Sequence, residues 1–388
     1  MLKPQTRSLL LVLPWSPNLP GGVSVVVRNL YNTVGSQWLR PIIMVTTWEA
    51  THLQPDAEGT QSFRFAILVG SSWLSLVKSV LLLPLRLWRT LGVLRENRVD
   101  AVNFHYPNLD ALGVAVLKKM GLFRGRLTLS FHGTDVRIQG NSREDFLWQF
   151  VFKMADGISA CSAALAERIA NTFNIEKVRI RVIYNGVDCN LFRPDAGREE
   201  RDSSIPEPFI VSVGSYIPRK GHRVLLEAFA LLAMDFPNVA LVIAGLDGAE
   251  RLFLEARAKQ LDLTERIKCL VGLSPIRVAS LVARAEVCVQ PSYEEPFGLA
   301  VIEAGASGVP VIATAVGGHL ELLRHEETGF LFAAGDANQC STLLREVFNA
   351  PENAKVIANR LRAEVVEKFT WDICSRGYLA LNTTVRDL

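Results

Sequence analysis

The stretch Val287 to Glu303, VCVQPSYEEPFGLAVIE, decides how the chain is read. Its apolar start, Val287 to Gln290, predicts a buried strand. Pro291 to Pro296 is turn-rich and carries two carboxylates, Glu294 and Glu295. Gly298 to Ser307 predicts a helix, stopped by Gly308 and Pro310. A further strand follows at Val309 to Ala313. Strand, acidic loop and helix in that order put the loop at the carboxyl end of a sheet strand, where open α/β sheets hold ligands. The N–H groups of Phe297, Gly298, Leu299 and Ala300 would open the helix, and a helix N-terminus favours a phosphate or diphosphate. Glu295 and Glu303 suit sugar hydroxyls better than they suit a diphosphate. Together these features point to a nucleotide-sugar ligand.

The 388 residues suffice for two domains with good cores, and 49% hydrophobic against 21% charged content describes a globular chain. A net charge of +3 gives no basic footprint for a nucleic acid. The six cysteines show no CxxC pair and no metal-ligand spacing, so they read as reduced thiols of a cytoplasmic protein, with no metal. The basic, apolar start MLKPQTRSLLLVLPW breaks at Pro14 without a small-residue cleavage site, and reads as a first strand.

Outward from the deciding stretch, the alternation of strands and helices runs through both halves. Leu9 to Leu13 predicts a strand, followed by a helix that opens at Gly21 and Gly22. A glycine pair there either admits a ligand close to the backbone or is plain turn chemistry. Pro41 to Thr46 and Phe63 to Val69 predict strands. Asp100 to His105 and Arg126 to Phe131 predict two more, the second delivering His132 in HGTD at its carboxyl end. Ser72 to Arg95 is apolar, with Trp73, Trp88, Lys78, Arg86 and Arg89. It reads either as a buried packing helix or as a basic helix lying on an anionic membrane surface. Lys78 and Pro84 inside the span argue against a transmembrane helix. The polar segment NLFRPDAGREERDSSIPEP predicts a linker. After it the pattern restarts with Phe209 to Val213, then GSYIPRKGH. Two βα-alternating units give two Rossmann-like parallel-sheet domains, 1–195 and 206–365, expected to face each other across a cleft, with a last helix in 366–388 expected to pack back on the first.

With PGGV, HGTD, NGVD, VGSYIPRKG, EPFGLAVIE and VGG-x-x-E in that order, the chain resembles the family 4 retaining glycosyltransferases of GT-B fold. The resemblance spans nearly the whole sequence. Its most specific part is Glu295-Pro-Phe-Gly followed by Glu303, two glutamates with seven residues between them. It implies that Lys220 balances the donor diphosphate and that Glu295 holds the transferred sugar. Glu303 would hold the ribose, and Phe297, Gly298 and Leu299 would offer N–H groups. Gly21, Gly22 and Gly214 would let the backbone approach the donor, Gly22 alternatively the acceptor, and His132 would position the sugar. The family commonly has an arginine where this chain has Ser215, directly after Gly214; Arg219 is the candidate substitute. The implied activity is transfer from a UDP-sugar or GDP-sugar, without cofactor or metal, to a glycan or lipid-linked acceptor in cell-surface polysaccharide assembly. Contact with the inner face of the cytoplasmic membrane would run through 72–95. A nucleotide-sugar epimerase or hydrolase, or a non-catalytic homologue, remains an alternative from the residues alone.

Overall fold

The computed structural model describes residues 7–19, 21–34, 39–46, 54–55, 61–63, 78, 81–136, 142–196 and 204–383. The chain forms two compact units, Met1–Tyr184 with Trp371–Leu388, and Asn185–Thr370.

The strands of the first unit are β1 (Arg7–Leu13), β2 (Leu39–Val45), β3 (Gln54–Pro55), β4 (Gln61–Ser62), β5 (Val99–His105), β6 (Arg126–Phe131), β7 (Gly157–Ala160) and β8 (Ile180–Val182). Among the described residues they form one sheet in the order β3-β4-β2-β1-β5-β6-β7-β8, parallel except for the β3/β4 pair. Leu9 to Leu13 are all buried. A near-continuous apolar run is what a parallel strand covered on both faces requires. Helix Gly22–Val34 turns Val26, Leu30 and Val34 inward at a spacing of four, one stripe of an α-helix. Cys374, Tyr378, Leu379 and Leu381 of the last helix, Trp371–Asn382, join the same core.

The second unit holds β9 (Phe209–Val213), β10 (Ala240–Gly245), β11 (Ile267–Val271), β12 (Val287–Gln290), β13 (Val311–Thr314) and β14 (Phe330–Phe332). All pair in parallel, in the order β11-β10-β9-β12-β13-β14. The order reverses direction at β9, so the loops after β9 and β12 leave the sheet on either side of a topological switch point. Leu225, Phe229 and Leu232 of helix His222–Leu232 pack with Leu344 and Val347 of helix Ala337–Asn349. Side chains fix where helices begin: Ser274 accepts from Arg277 N at 3.3 Å, and Asp336 accepts from Gln339 N at 2.8 Å. Both units are Rossmann-like.

The first boundary differs from the polar linker of the sequence. Residues 185–195 belong to the second unit, because Val187 bridges Thr370 and its N–H donates to Phe369 O at 2.8 Å. The same bridge keeps 366–370 in the second unit, and only the helix from Trp371 joins the first. Past Phe63, the strand expected over Phe63 to Val69 lies outside the described residues. None of the six cysteines is joined in a disulfide. Among the described residues no helix is long and apolar enough to cross a membrane.

Leu381 packs against Gly157, and its carbonyl accepts from Arg126 Nε at 3.1 Å. Leu381→Ala is expected to destabilise the protein by ~2–4 kcal/mol through lost burial and the cavity left behind. A lower urea midpoint with an unchanged slope would show it.

Candidate functional site

In the second unit three loops meet at the carboxyl edges of β9, β12 and β13. The first is Gly214 to Gly221, the second Pro291 to Gly298, the third Ala315 to His319. Their backbones touch. A Cβ on Gly221, which has φ +67°, would run into the Pro291 carbonyl. One on Gly317 would strike Glu295 O, and one on Gly318 would strike Phe297 O. Only glycine permits such an approach. Hydrogen bonds lock it: Tyr293 N donates to Arg219 O at 2.9 Å, and Gly318 N to Glu295 O at 2.9 Å.

This knitting brings together the charged residues picked out of the sequence. Lys220 runs its stem over Gly214 and puts Nζ 2.6 Å from Glu295 Oε2. Ser292 Oγ donates to the same oxygen at 3.3 Å. Burial raises the Glu295 carboxyl, but Lys220 and then His319 outweigh it, so the net shift is downward and Glu295 is anionic. Arg219 is near enough to add to that shift. Glu303 sits in the second turn of helix Leu299–Ala306. Burial pushes its carboxyl up to about 7, against the pull of Lys220. Lys220 thus lies between two carboxyls of different character. Gly298 precedes the helix with φ 111°, and Val301 N donates to its carbonyl at 3.0 Å. The amides of Leu299 and Ala300, in the first turn, have no intrahelical acceptor. The site therefore offers a cation, a free helix start and two hydroxyl acceptors, the complement of a sugar diphosphate.

Sequence reasoning passed over His319. It is fully buried; its Nδ1 lies 3.0 Å from Thr314 O, and its Nε2 has no partner among the described residues. The ring presses against Gly298. The available signal was a histidine placed directly after a glycine pair at a strand end.

The first unit contributes a separate cluster at the ends of β5 and β6. His132 Nε2 lies 3.1 Å from His105 Nδ1. The Asp135 carboxylate, also unmarked in the sequence, accepts from His132 N at 2.8 Å and Gly133 N at 2.6 Å, pinning the HGTD turn. Burial raises Asp135 to about 6, against those N–H groups. Burial also lowers His132 to about 4, so its ring is neutral at pH 7. Gly22 opens helix Gly22–Val34, and a Cβ on Gly21 would meet nothing within 4 Å. Gly21, Gly22 and His132 belong to the first unit and the other candidate residues to the second.

Within 72–95, residues 72–77, 79 and 80, Trp73 included, lie outside the described residues. Helix Leu83–Glu96 divides: Thr90, Leu91, Val93 and Leu94 are buried, while Leu85 and Trp88 are exposed near Arg86 and Arg89, as are Leu81 and Leu82 just before the helix. The buried residues are what the packing-helix reading expects, and the exposed ones carry the apolar and basic side chains on which the other reading rests.

Among the described residues no group of three or more His, Cys, Asp or Glu side chains is placed to hold a metal ion. Two family models match, Glycosyltransferase Family 4 over residues 20–191 and Glycosyl transferases group 1 over residues 196–364. An uncharacterized glycosyltransferase of Methanocaldococcus jannaschii is 28% identical over 73% of this chain and 75% of its own length. The D-inositol 3-phosphate glycosyltransferase of Mycobacterium avium is 31% identical over 60% of this chain, which spans 55% of that relative. A glycosyltransferase of Rickettsia africae superposes with a TM-score of 0.79 at 21% identity, covering 97% and 98% of the two chains. The Anabaena protein HepE, solved with UDP and glucose, has a TM-score of 0.74 at 18% identity, covering 96% and 98%.

Glu303 sets a pH dependence. Its folded carboxyl titrates near 7 instead of the ordinary 4.5, so the folded state holds its proton more tightly. Its contribution to stability is present in full below the unfolded value and is lost as pH rises through the folded one. Glu303→Gln is expected to remove that decline, raising stability at pH 8 by ~3 kcal/mol and leaving it nearly unchanged at pH 4. Thermal melts of both proteins across this range test it.

Proposed function

Because the chain belongs to the glycosyltransferases of family 4 and group 1, with their GT-B fold, we propose that it is a retaining, metal-independent transferase acting on a nucleotide-sugar. The carrying observation is the Lys220–Glu295 pair beside the open start of helix Leu299–Ala306. Lys220 turns from Glu295 to the donor diphosphate as a point charge. Glu295, released, accepts from hydroxyls of the transferred sugar, and Glu303 accepts from the ribose. Leu299 and Ala300 donate N–H groups to the diphosphate. Arg219 supplies the second cation where Ser215 has none.

The bond from the anomeric carbon to the diphosphate oxygen breaks, and its electron pair stays on that oxygen. The acceptor hydroxyl oxygen bonds to the anomeric carbon on the same face, and its proton passes to the departing diphosphate. A nucleoside diphosphate is a good leaving group once its charge is met, so Lys220 and the helix start carry the largest share of the stabilisation. The donor is a UDP-sugar or GDP-sugar. The acceptor is a glycan or lipid-linked sugar of cell-surface polysaccharide or lipopolysaccharide assembly, met at the cytoplasmic face of the membrane. Exposed Trp88 and Leu85 beside Arg86 and Arg89 support that location.

Two measurements test this. At about 100 dissociation constants, the matching donor is expected to stabilise the protein by ~2.7 kcal/mol, seen as a rise in Tm. Lys220→Met is expected to abolish that rise and to lower turnover about 100-fold. No rise with any UDP- or GDP-sugar refutes the donor assignment. Trp88→Ala combined with Arg89→Ala is expected to weaken binding to anionic vesicles by ~1 kcal/mol or more, and unchanged sedimentation with vesicles refutes the membrane contact.

A further inference from the structure

His105 is buried at the end of β5, with one ring nitrogen engaged and one not. Its Nδ1 faces His132 Nε2 at 3.1 Å. Its Nε2 is buried without a partner among the described residues. The ring lies against Tyr378, with centroids 5.3 Å apart, and against His132, also at 5.3 Å. Burial of both rings, and for His105 the neighbouring His132, moves their titration below the ordinary 6.5, so both are neutral at pH 7. A neutral pair shares one proton across the contact, and two arrangements are available. If His132 donates, His105 must carry its own proton on Nε2, a buried N–H without an acceptor. If His105 donates from Nδ1, its Nε2 is a bare lone pair. Orphaned buried N–H groups are rarer than under-satisfied acceptors, which favours the second arrangement. His132 then carries its proton on Nδ1.

The rest of the surroundings hold His132 for that role. Its backbone N–H is clamped by Asp135, and its carbonyl accepts from Cys161 Sγ at 3.9 Å. Its Nδ1 makes no hydrogen bond among the described residues, and the residue is half-buried. That atom is the one left for a ligand. We propose that His105 is a positioning residue that fixes His132 as the Nδ1–H tautomer, so that His132 presents a hydrogen-bond donor to a hydroxyl oxygen of the bound sugar. This rests on the reading of His132 as a sugar-positioning group. The partner on one ring nitrogen sets the chemistry offered by the other.

The test is a long-range proton–nitrogen correlation spectrum of the full chain labelled with 15N-histidine, in which the two neutral tautomers give distinct nitrogen shifts. With six histidines in the chain, His132→Asn assigns the signal. The expected wild-type spectrum has a protonated Nδ1 and a bare Nε2 on His132. His105→Phe keeps a ring against Tyr378 but removes the donor. It is expected to shift His132 toward the Nε2–H form and to lower kcat roughly tenfold, the scale of losing one neutral hydrogen bond. His105→Asn, whose amide N–H can stand at the Nδ1 position, is expected to restore the Nδ1–H signal and most of the turnover. A wild-type His132 protonated on Nε2 overturns the proposal, and so does an unchanged tautomer in His105→Phe. The spectrum needs no nucleotide-sugar, so it judges the His105 contact whether or not the transferase reading holds. Full turnover in His132→Ala would instead remove the sugar-positioning role from His132.

Discussion

An ammonium and a carboxylate held 2.6 Å apart, Lys220 with Glu295, are the contact on which the second unit's loops converge. The pair joins residues from separate loops, and both side chains are largely withdrawn from water. Withdrawing two charges is unfavourable unless geometry and neighbouring hydrogen bonds compensate. Ser292 supplies one such bond. The glycines at 221, 317 and 318 supply the geometry, because each lets one loop's backbone meet another's without a side chain between. The strands supply the platform, since β9 and β12 are direct neighbours and release their loops side by side.

The cluster around His132 follows different physics. There the groups are neutral or hydrogen-bonded in place, and burial outweighs the pull of nearby charges and N–H groups. Asp135 spends its carboxylate on two backbone N–H groups of its own turn, and the histidine rings engage each other. One unit thus presents fixed charge and the other a fixed hydrogen-bonding array.

Much of this was legible in the sequence because it is local. The run from Val287 to Glu303 contains strand, loop and helix in one window, and hydrophobic periodicity marks the other strands and helices in the same way. Glu295, Glu303 and Lys220 were identifiable as residues, but their contact was not. Lys220 and Glu295 are far apart in sequence, and nothing in either segment states the register between loops. The same limit hid His319, whose ring lies against Gly298, and the pairing of His105 with His132. The boundary moved for a related reason. A polar, proline-rich segment reports that a chain is exposed there, whereas the bridge from Val187 to Thr370 is a contact with a remote residue.

The last helix has a consequence for the order in which the chain is made. The second unit is contiguous from Asn185 to Thr370, whereas the first is not. Its core takes Cys374, Tyr378, Leu379 and Leu381 from the final helix. A ribosome therefore releases all of the second unit before it releases the side chains that complete the first. Until then Leu9, Leu11, Val26 and Leu30 lack part of the apolar cover they have in the native protein. The later-synthesised unit has all its own core residues at hand sooner, and the earlier one closes only once the helix Trp371–Asn382 has been made.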